Sequence, residues 1–270
     1  MPQVSAAETA AEALAPLRAD PERAAVLTDI DGTLAPIVER HELAAVPDGA
    51  RAVLAELSGR FGIVGCVSGR RAAEARDLVG VEGIAYAGNH GLELLLPGDS
   101  EPRLDPSLEG REGAASEYLE QLDAEALLAG GLRVEDKGPI QALHWRGAGD
   151  EQAAAARARE IAAEAGKRGL EPRWGRKVLE LRPAGGGGKD AAVGALIGIG
   201  KFTAAIYGGD DRTDLDAFAR LRRLRDEGHL EAAICVGVVS DEAPADLEEE
   251  SDLTVEGPPG WLAVLRALAG

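Results

Sequence analysis

Two stretches of this chain end apolar runs in closely spaced carboxylates. In Thr28-Asp29-Ile30-Asp31-Gly32-Thr33-Leu34, the aspartates are two residues apart, so strand alternation aims both side chains the same way. In Ile206-Tyr207-Gly208-Gly209-Asp210-Asp211-Arg212-Thr213-Asp214, two adjacent aspartates are followed by a third. If both runs are strands lying side by side, as many as five carboxylates (Asp29, Asp31, Asp210, Asp211, Asp214) crowd one sheet edge. Carboxylates that close repel unless a cation lies between them or one takes a proton. An all-oxygen set without Cys or His favours Mg²⁺. Both stretches also have an ordinary reading: Asp-Gly is a common turn dipeptide, and Asp211 to Asp214 reads as a helix N-cap with an acidic first turn.

Two further segments could handle an anion. Ser68-Gly69-Arg70 follows the strand-like Phe61 to Val67 and opens a helix, offering a hydroxyl and free backbone N–H groups; the same residues would serve as a plain helix cap. Lys189 follows the glycine run Gly185 to Gly188 and begins a helix, where a cation works against the dipole. A phosphate opposite it would account for the choice, as would simple solvation on a linker.

The elements that must position these groups follow from the hydrophobic pattern. Ala24 to Leu27, Phe61 to Val67, Ile84 to Ala87, Phe202 to Tyr207 and Ala232 to Val236 are short, nearly unbroken apolar runs, as in strands buried on both faces. Helical stretches at Gly49 to Leu57, Arg71 to Leu78 and Leu215 to Arg225 separate most of them, which predicts an α/β core with a Rossmann-like parallel sheet. From Leu104 to Leu181 the rhythm changes to helix (Ser107 to Leu128), two strands, helix (Asp150 to Arg168), two strands. That pattern predicts a smaller α+β domain at 104–181 inserted into a core of 1–103 and 182–270.

Composition narrows the function. The 270 residues carry 47 acidic and 29 basic side chains, a formal charge of -18. Phosphate backbones and anionic lipid surfaces recruit proteins through Lys and Arg clusters, so neither nucleic acid nor membrane is an expected partner. The N-terminal stretch lacks a basic region followed by an apolar run, and the two cysteines, Cys66 and Cys235, lie in apolar runs where buried thiols are expected. These features predict a cytoplasmic protein.

The ordered set of Asp29-x-Asp31-Gly32-Thr33, Ser68, Lys189 and Gly209-Asp210-Asp211-x-x-Asp214 resembles the four motifs of haloacid dehalogenase-like phosphatases, and the segment inserted between Ser68 and Lys189 resembles their second cap type. Finer features are similar to trehalose-6-phosphate phosphatases: Leu34-Ala35-Pro36-Ile37 after the first motif, Ala87-Gly88-Asn89-His90-Gly91-Leu92-Glu93, Val134-Glu135-Asp136-Lys137 with His144-Trp145-Arg146, Val178-Leu179-Glu180-Leu181-Arg182-Pro183, and Leu215-Asp216-Ala217-Phe218 after the last. The resemblance implies hydrolysis of trehalose 6-phosphate through an aspartyl phosphate on Asp29, with Asp31 as acid and base. It implies Mg²⁺ held by Asp29, the Asp31 carbonyl and Asp210, supported by Asp211 and Asp214, with Ser68 and Lys189 gripping the phosphoryl oxygens. For the sugar phosphate, the candidate contacts are Gly69, Arg70, Asn89, His90 and Glu93, with Glu135, Lys137, His144, Glu180 and Arg182 from the inserted segment. There, Glu180 with Lys137 also reads as a surface ion pair, and His144 as a cross-strand packing residue. Another sugar or polyol phosphate as substrate, and a catalytically silent phosphosugar-binding partner of a synthase, are the alternatives.

Overall fold

The computed structural model describes residues 11–38, 43–241 and 243–270. His41, to which the sequence assigns no role, lies outside them. The chain divides into two compact units: one runs to Arg103 and resumes at Gly187, and the other is Leu104–Gly186.

In the first unit the chain passes through α1 (Ala15–Ala19), β1 (Ala24–Asp29), α2 (Asp48–Ser58), β2 (Ile63–Val67), α3 (Ala72–Val79), β3 (Ala85–Gly88) and β4 (Glu93–Leu95), and the two-residue β5 (Arg103–Leu104) falls at the division. The second unit follows with α4 (Ala114–Glu120), α5 (Ala124–Ala129), β6 (Arg133–Lys137), β7 (Ile140–His144), α6 (Glu151–Lys167), β8 (Leu170–Gly175) and β9 (Val178–Pro183). The first unit is completed by α7 (Lys189–Gly198), β10 (Ala204–Gly209), α8 (Arg212–Asp226), β11 (Ala232–Val239), β12 (Leu253–Glu256) and α9 (Gly257–Ala269).

The large sheet has the order β12-β11-β10-β1-β2-β3-β4-β5. Its central pairs are parallel, and β4 turns back antiparallel on β3. Alternation along the strands divides the core into two faces. Val26, Val64, Ile206 and Ile234 pack on one side with Leu54, Leu57, Trp261 and Leu265 of α2 and α9. Leu27, Val67 and Tyr207 pack on the other with Val193, Leu196, Phe218 and Leu221 of α7 and α8. Each fully buried aliphatic side chain contributes about 1.5–3 kcal/mol, so the helices are held by their apolar stripes. Cys66 and Cys235 are free, buried thiols on opposite faces of this sheet.

The strand order reverses at β1, which has β2 on one side and β10 on the other. Ligands of open α/β sheets bind beyond the carboxyl ends of the strands at such a switch point. Asp29 is the last residue of β1, and Asp210 directly follows β10.

In the second unit a four-stranded antiparallel sheet, β6-β7-β9-β8, buries one face on α6. Leu143, Leu179 and Leu181 meet Ala154, Ala158, Ile161 and Ala165 there. The single helix expected at Ser107 to Leu128 is instead a 3-10 turn at Pro106–Leu108 followed by α4 and α5. Gly110, with φ at 72°, breaks the first turn, and the Asp123 carboxylate caps a new start by accepting from the Glu125 and Ala126 N–H groups. No helix among the described residues is long and apolar enough to cross a membrane.

Candidate active site

Parallel pairing sets Thr28 opposite Gly208 and Cys66, so the segments after β1, β2 and β10 leave the sheet together. Around this edge Asp29, Asp210 and Asp214 are buried, with one carboxylate oxygen from each inside a 4.8 Å span. Lys189, at the first position of α7, is 3% exposed, and its Nζ lies 2.9 Å from Asp29 Oδ1 and 2.6 Å from Asp214 Oδ1. Asp211 is more distant, 3.5 Å from the ammonium and half exposed. Asp211 caps α8, and with Asp214 it forms a capping box.

The hydrogen bonds distinguish the aspartates. Asp214 accepts from Lys189 and Tyr207 on Oδ1 and from the Asp210 and Asp211 N–H groups on Oδ2, so four donors fix it in place. Asp210 accepts from Thr33 Oγ1 at 2.8 Å. Burial raises the Asp29 carboxyl well above its usual range, partly offset by Lys189. It pushes Asp210 up to about 6 and Asp214 up to about 7. Burial works to lower Lys189, but Asp214, Asp29 and Asp211 outweigh it and raise the ammonium's pKa. Asp211 falls to about 2, because Lys189 and its own hydrogen bonds outweigh its burial.

One ammonium therefore faces several carboxylates, and a hard divalent cation fits this set. The backbone makes space for the crowding. A Cβ on Gly32, where φ is 94°, would lie 2.0 Å from Asp210 Oδ2, and one on Gly209 would lie 2.2 Å from Asp214 Cγ. Glycine is required at both positions for the carboxylates to approach. Asp29 and Asp210 are the residues that would hold such a cation, since Asp214 is already committed to four donors.

Asp31 lies outside the buried triad. Its carboxylate takes a two-pronged hydrogen bond from Arg70, at 2.8 and 2.7 Å. Ser68 is buried at the end of β2, where its hydroxyl accepts from the Arg70 N–H. Asn89 and His90 adopt left-handed backbone conformations, with φ of 49° and 55°. They are held by hydrogen bonds from Asn89 N to Arg70 O, from His90 N to Ser68 O and from Gly188 N to His90 O. This loop thus joins the serine segment to the start of α7. Glu93 is buried beneath it, accepting from Asn89 Nδ2 and from the Ala72 N–H that begins α3. A Cβ on Gly69 would come within 2.7 Å of the His90 ring.

The remaining candidates lie in the second unit. Register sets Glu135, Ala142, Glu180 and Arg173 in one cross-strand row. By alternation they occupy the sheet face opposite the leucines packed on α6, together with Lys137, His144 and Arg182. Lys137 donates to Glu180 Oε1 at 2.8 Å, Arg182 donates to Glu180 Oε2, and His144 Nε2 lies 2.6 Å from Glu135 Oε2.

Residues 27–251 match the trehalose-phosphatase family model. The chain belongs to the trehalose-phosphatase family. Among curated proteins it is similar to an uncharacterized glycosyl hydrolase of Mycobacterium tuberculosis, 37% identical over 74% of this chain and 15% of that protein. It is also similar to a trehalose-phosphate phosphatase of Mycobacterium avium, 36% identical over 73% of this chain and 51% of that one. The chain thus spans about half of one relative and a small part of the other. The trehalose-6-phosphate phosphatase C-terminal domain of Candida albicans shares the fold, with a TM-score of 0.70 at 21% identity over 96% of this chain and 97% of that one.

Several supporting residues of this family member carry no motif signal of their own. Tyr207 reads in sequence as a strand residue, yet its hydroxyl fixes Asp214. Trp261, far along the chain, donates Nε1 to Thr28 Oγ1, which in turn donates to the Asp29 carbonyl. Gly208 leaves room for that indole, whose ring atoms lie 2.6 Å from where a Cβ would be. Only the Asp-Gly-Thr spacing could have pointed to Thr33.

Proposed function

We propose that this chain hydrolyses trehalose 6-phosphate to trehalose and inorganic phosphate. The observation that carries the reading is the buried Asp29–Lys189–Asp214 cluster with Asp210 beside it, in a chain of the trehalose-phosphatase family. Asp29 attacks phosphorus in line, forming one P–O bond as the bond to the sugar oxygen breaks, and the product of this step is an aspartyl phosphate. Asp31 gives a proton to the leaving sugar oxygen and later takes one from the water that cleaves the aspartyl phosphate. Arg70 positions Asp31 between these tasks through its two-pronged bond. Ser68 and Lys189 hold the non-bridging oxygens. Asp29 and Asp210, with the Asp31 carbonyl, would hold Mg²⁺, which when bound would supply charge neutralisation for the phosphoryl group. Asn89 and Glu93 act as a brace for the Ser68 and Lys189 segments.

The unit Leu104–Gly186 acts in this reading as the cap, and the charged face of its sheet recognises the sugar. Glu135, Lys137, His144, Glu180 and Arg182 are paired among themselves at partial burial, as suits groups that exchange partners with sugar hydroxyls. The test is phosphate release over a panel of sugar and polyol phosphates with Mg²⁺. Trehalose 6-phosphate is expected to have the highest kcat/KM. Preference for another sugar phosphate overturns the substrate, and no release from any overturns the activity.

A further inference from the structure

The first unit holds a cavity of about 540 Å³ that the phosphatase reading does not use. It lies between α7 and α8 and the loops that lead into β10 and β11. Arg23 and Thr203, which precede β1 and β10, are in its wall. It is therefore at the amino ends of the strands that carry Asp29 and Asp210 at their carboxyl ends, about 17 Å away along a strand of this length. Its volume is in the range of small-molecule sites.

The lining runs against the charge of the chain. In a protein with 47 acidic and 29 basic side chains, this wall holds Arg23, Lys201 and Arg220 and a single acid, Glu231. Neither Lys201 nor Arg220 forms an ion pair among the described residues. Arg220 is half-buried and lies within α8, six residues before its end, too far back to serve the dipole of the last turn. The opposing helix makes room for it. Gly194 lies inside α7, where glycine costs about 1 kcal/mol relative to alanine, and a Cβ there would lie 3.0 Å from Arg220 Nε. Apolar surface from Ile197, Phe202 and Leu224 lines the same cavity.

We propose that this cavity binds a small organic phosphate. The guanidinium groups of Arg23 and Arg220 and the Lys201 ammonium take the phosphate oxygens, and the Phe202 ring with its aliphatic neighbours takes the organic body. Arginine forks suit phosphate geometry, and a charge-assisted pair is roughly twice as strong as a neutral hydrogen bond.

The test is calorimetric titration of the whole chain with ADP and, separately, with inorganic pyrophosphate, without divalent metal. Saturable ADP binding is expected, at least about tenfold weaker in the Arg220→Gln/Lys201→Gln double variant, for the loss of two charge-assisted contacts. Hydrolysis of p-nitrophenyl phosphate and the melting temperature of that variant should match the wild type. Phe202→Ala should weaken ADP while leaving pyrophosphate unchanged. The proposal is overturned if ADP shows no saturable binding, if the double variant binds it as the wild type does, or if pyrophosphate binds as tightly as ADP, which marks an adventitious anion only.

Discussion

The two units of this chain treat charge in opposite ways. In the first, Lys189, Asp29 and Asp214 are between 0 and 6% exposed, and the carboxylates outnumber the cation. In the second, Lys137, Glu180 and Arg182 are 11 to 14% exposed, with two cations sharing one carboxylate, and Glu135 with His144 lies nearer to solvent still. Burying unbalanced charge costs several kcal/mol per ion unless partners compensate. Such a cluster persists where it serves chemistry. Partly exposed pairs cost little and gain little, so their value lies in where they place donors and acceptors. In the proposed function, this difference separates residues that carry out the reaction from residues that choose its substrate.

The largest break in that comparison is expected at Asp29. Asp29→Asn keeps the shape of the side chain and removes the nucleophile, so phosphate release from every substrate should fall by at least about 1,000-fold with the fold retained. Circular dichroism and a phosphate assay on one preparation check both halves. Near-native turnover in a folded variant removes Asp29 from the mechanism.

Lys189→Ala should harm activity and stability together. It removes a grip on the phosphoryl group and leaves Asp29 and Asp214 buried without their cation, and breaking a buried pair costs about 3–5 kcal/mol. Urea unfolding should show the loss, and activity toward p-nitrophenyl phosphate and trehalose 6-phosphate should fall alike. A variant of unchanged stability would mean that Lys189 is not the counter-ion of the cluster.

Cap substitutions should be smaller and selective. Glu180→Ala removes the carboxylate that Lys137 and Arg182 share and should lower kcat/KM for trehalose 6-phosphate by about 10- to 100-fold, the value of one or two sugar hydrogen bonds. Hydrolysis of p-nitrophenyl phosphate, which has no sugar, should change little. Equal loss on both substrates would place Glu180 in the chemistry instead of recognition.

Sequence and structure agree most closely where one strand carries the signal. The unbroken apolar run before Asp29 and the one before Asp210 each make a buried strand with a carboxylate at its end, and the alternation of short strands with helices gives the parallel core. Tertiary partners were not legible. Nothing in Tyr207 or Trp261 indicates that one reaches Asp214 and the other supports the Asp29 carbonyl through Thr28, because those contacts depend on packing between distant elements. The split of the expected helix at Ser107 to Leu128 was missed because Asp123 reads as one more polar helix residue until its carboxylate is seen capping a new start. The Asp31–Arg70 pair was hidden too, since 39 positions separate its members.

The smallest expected effect concerns pH, and it again contrasts the two units. Asp210 and Asp214 have pKa values raised to about 6 and about 7 in the fold, whereas in the unfolded chain both return to about 4. Between those limits the folded state binds more protons, so stability falls as pH rises from 5 to 8. Lys189 adds no slope there, because a raised ammonium pKa loses its contribution only above the unfolded value of about 10.4. The depressed carboxyl of Asp211 acts only below about pH 4, outside this window. A divalent cation competes with protons for the same oxygens, so Mg²⁺ should stabilise more at pH 8 than at pH 5. Of the three tryptophans, Trp145 and Trp174 belong to the second unit, and Trp261 packs beside β1 and β10. In a Trp145→Phe/Trp174→Phe variant, Trp261 emission therefore reports on the buried cluster's surroundings. Its melting midpoint in chelator should fall from pH 5 to pH 8, and Mg²⁺ should restore it at the higher pH. A midpoint that is flat with pH and indifferent to Mg²⁺ would show that the buried carboxylates are balanced without a metal, and the contrast between the two units would then rest on burial alone.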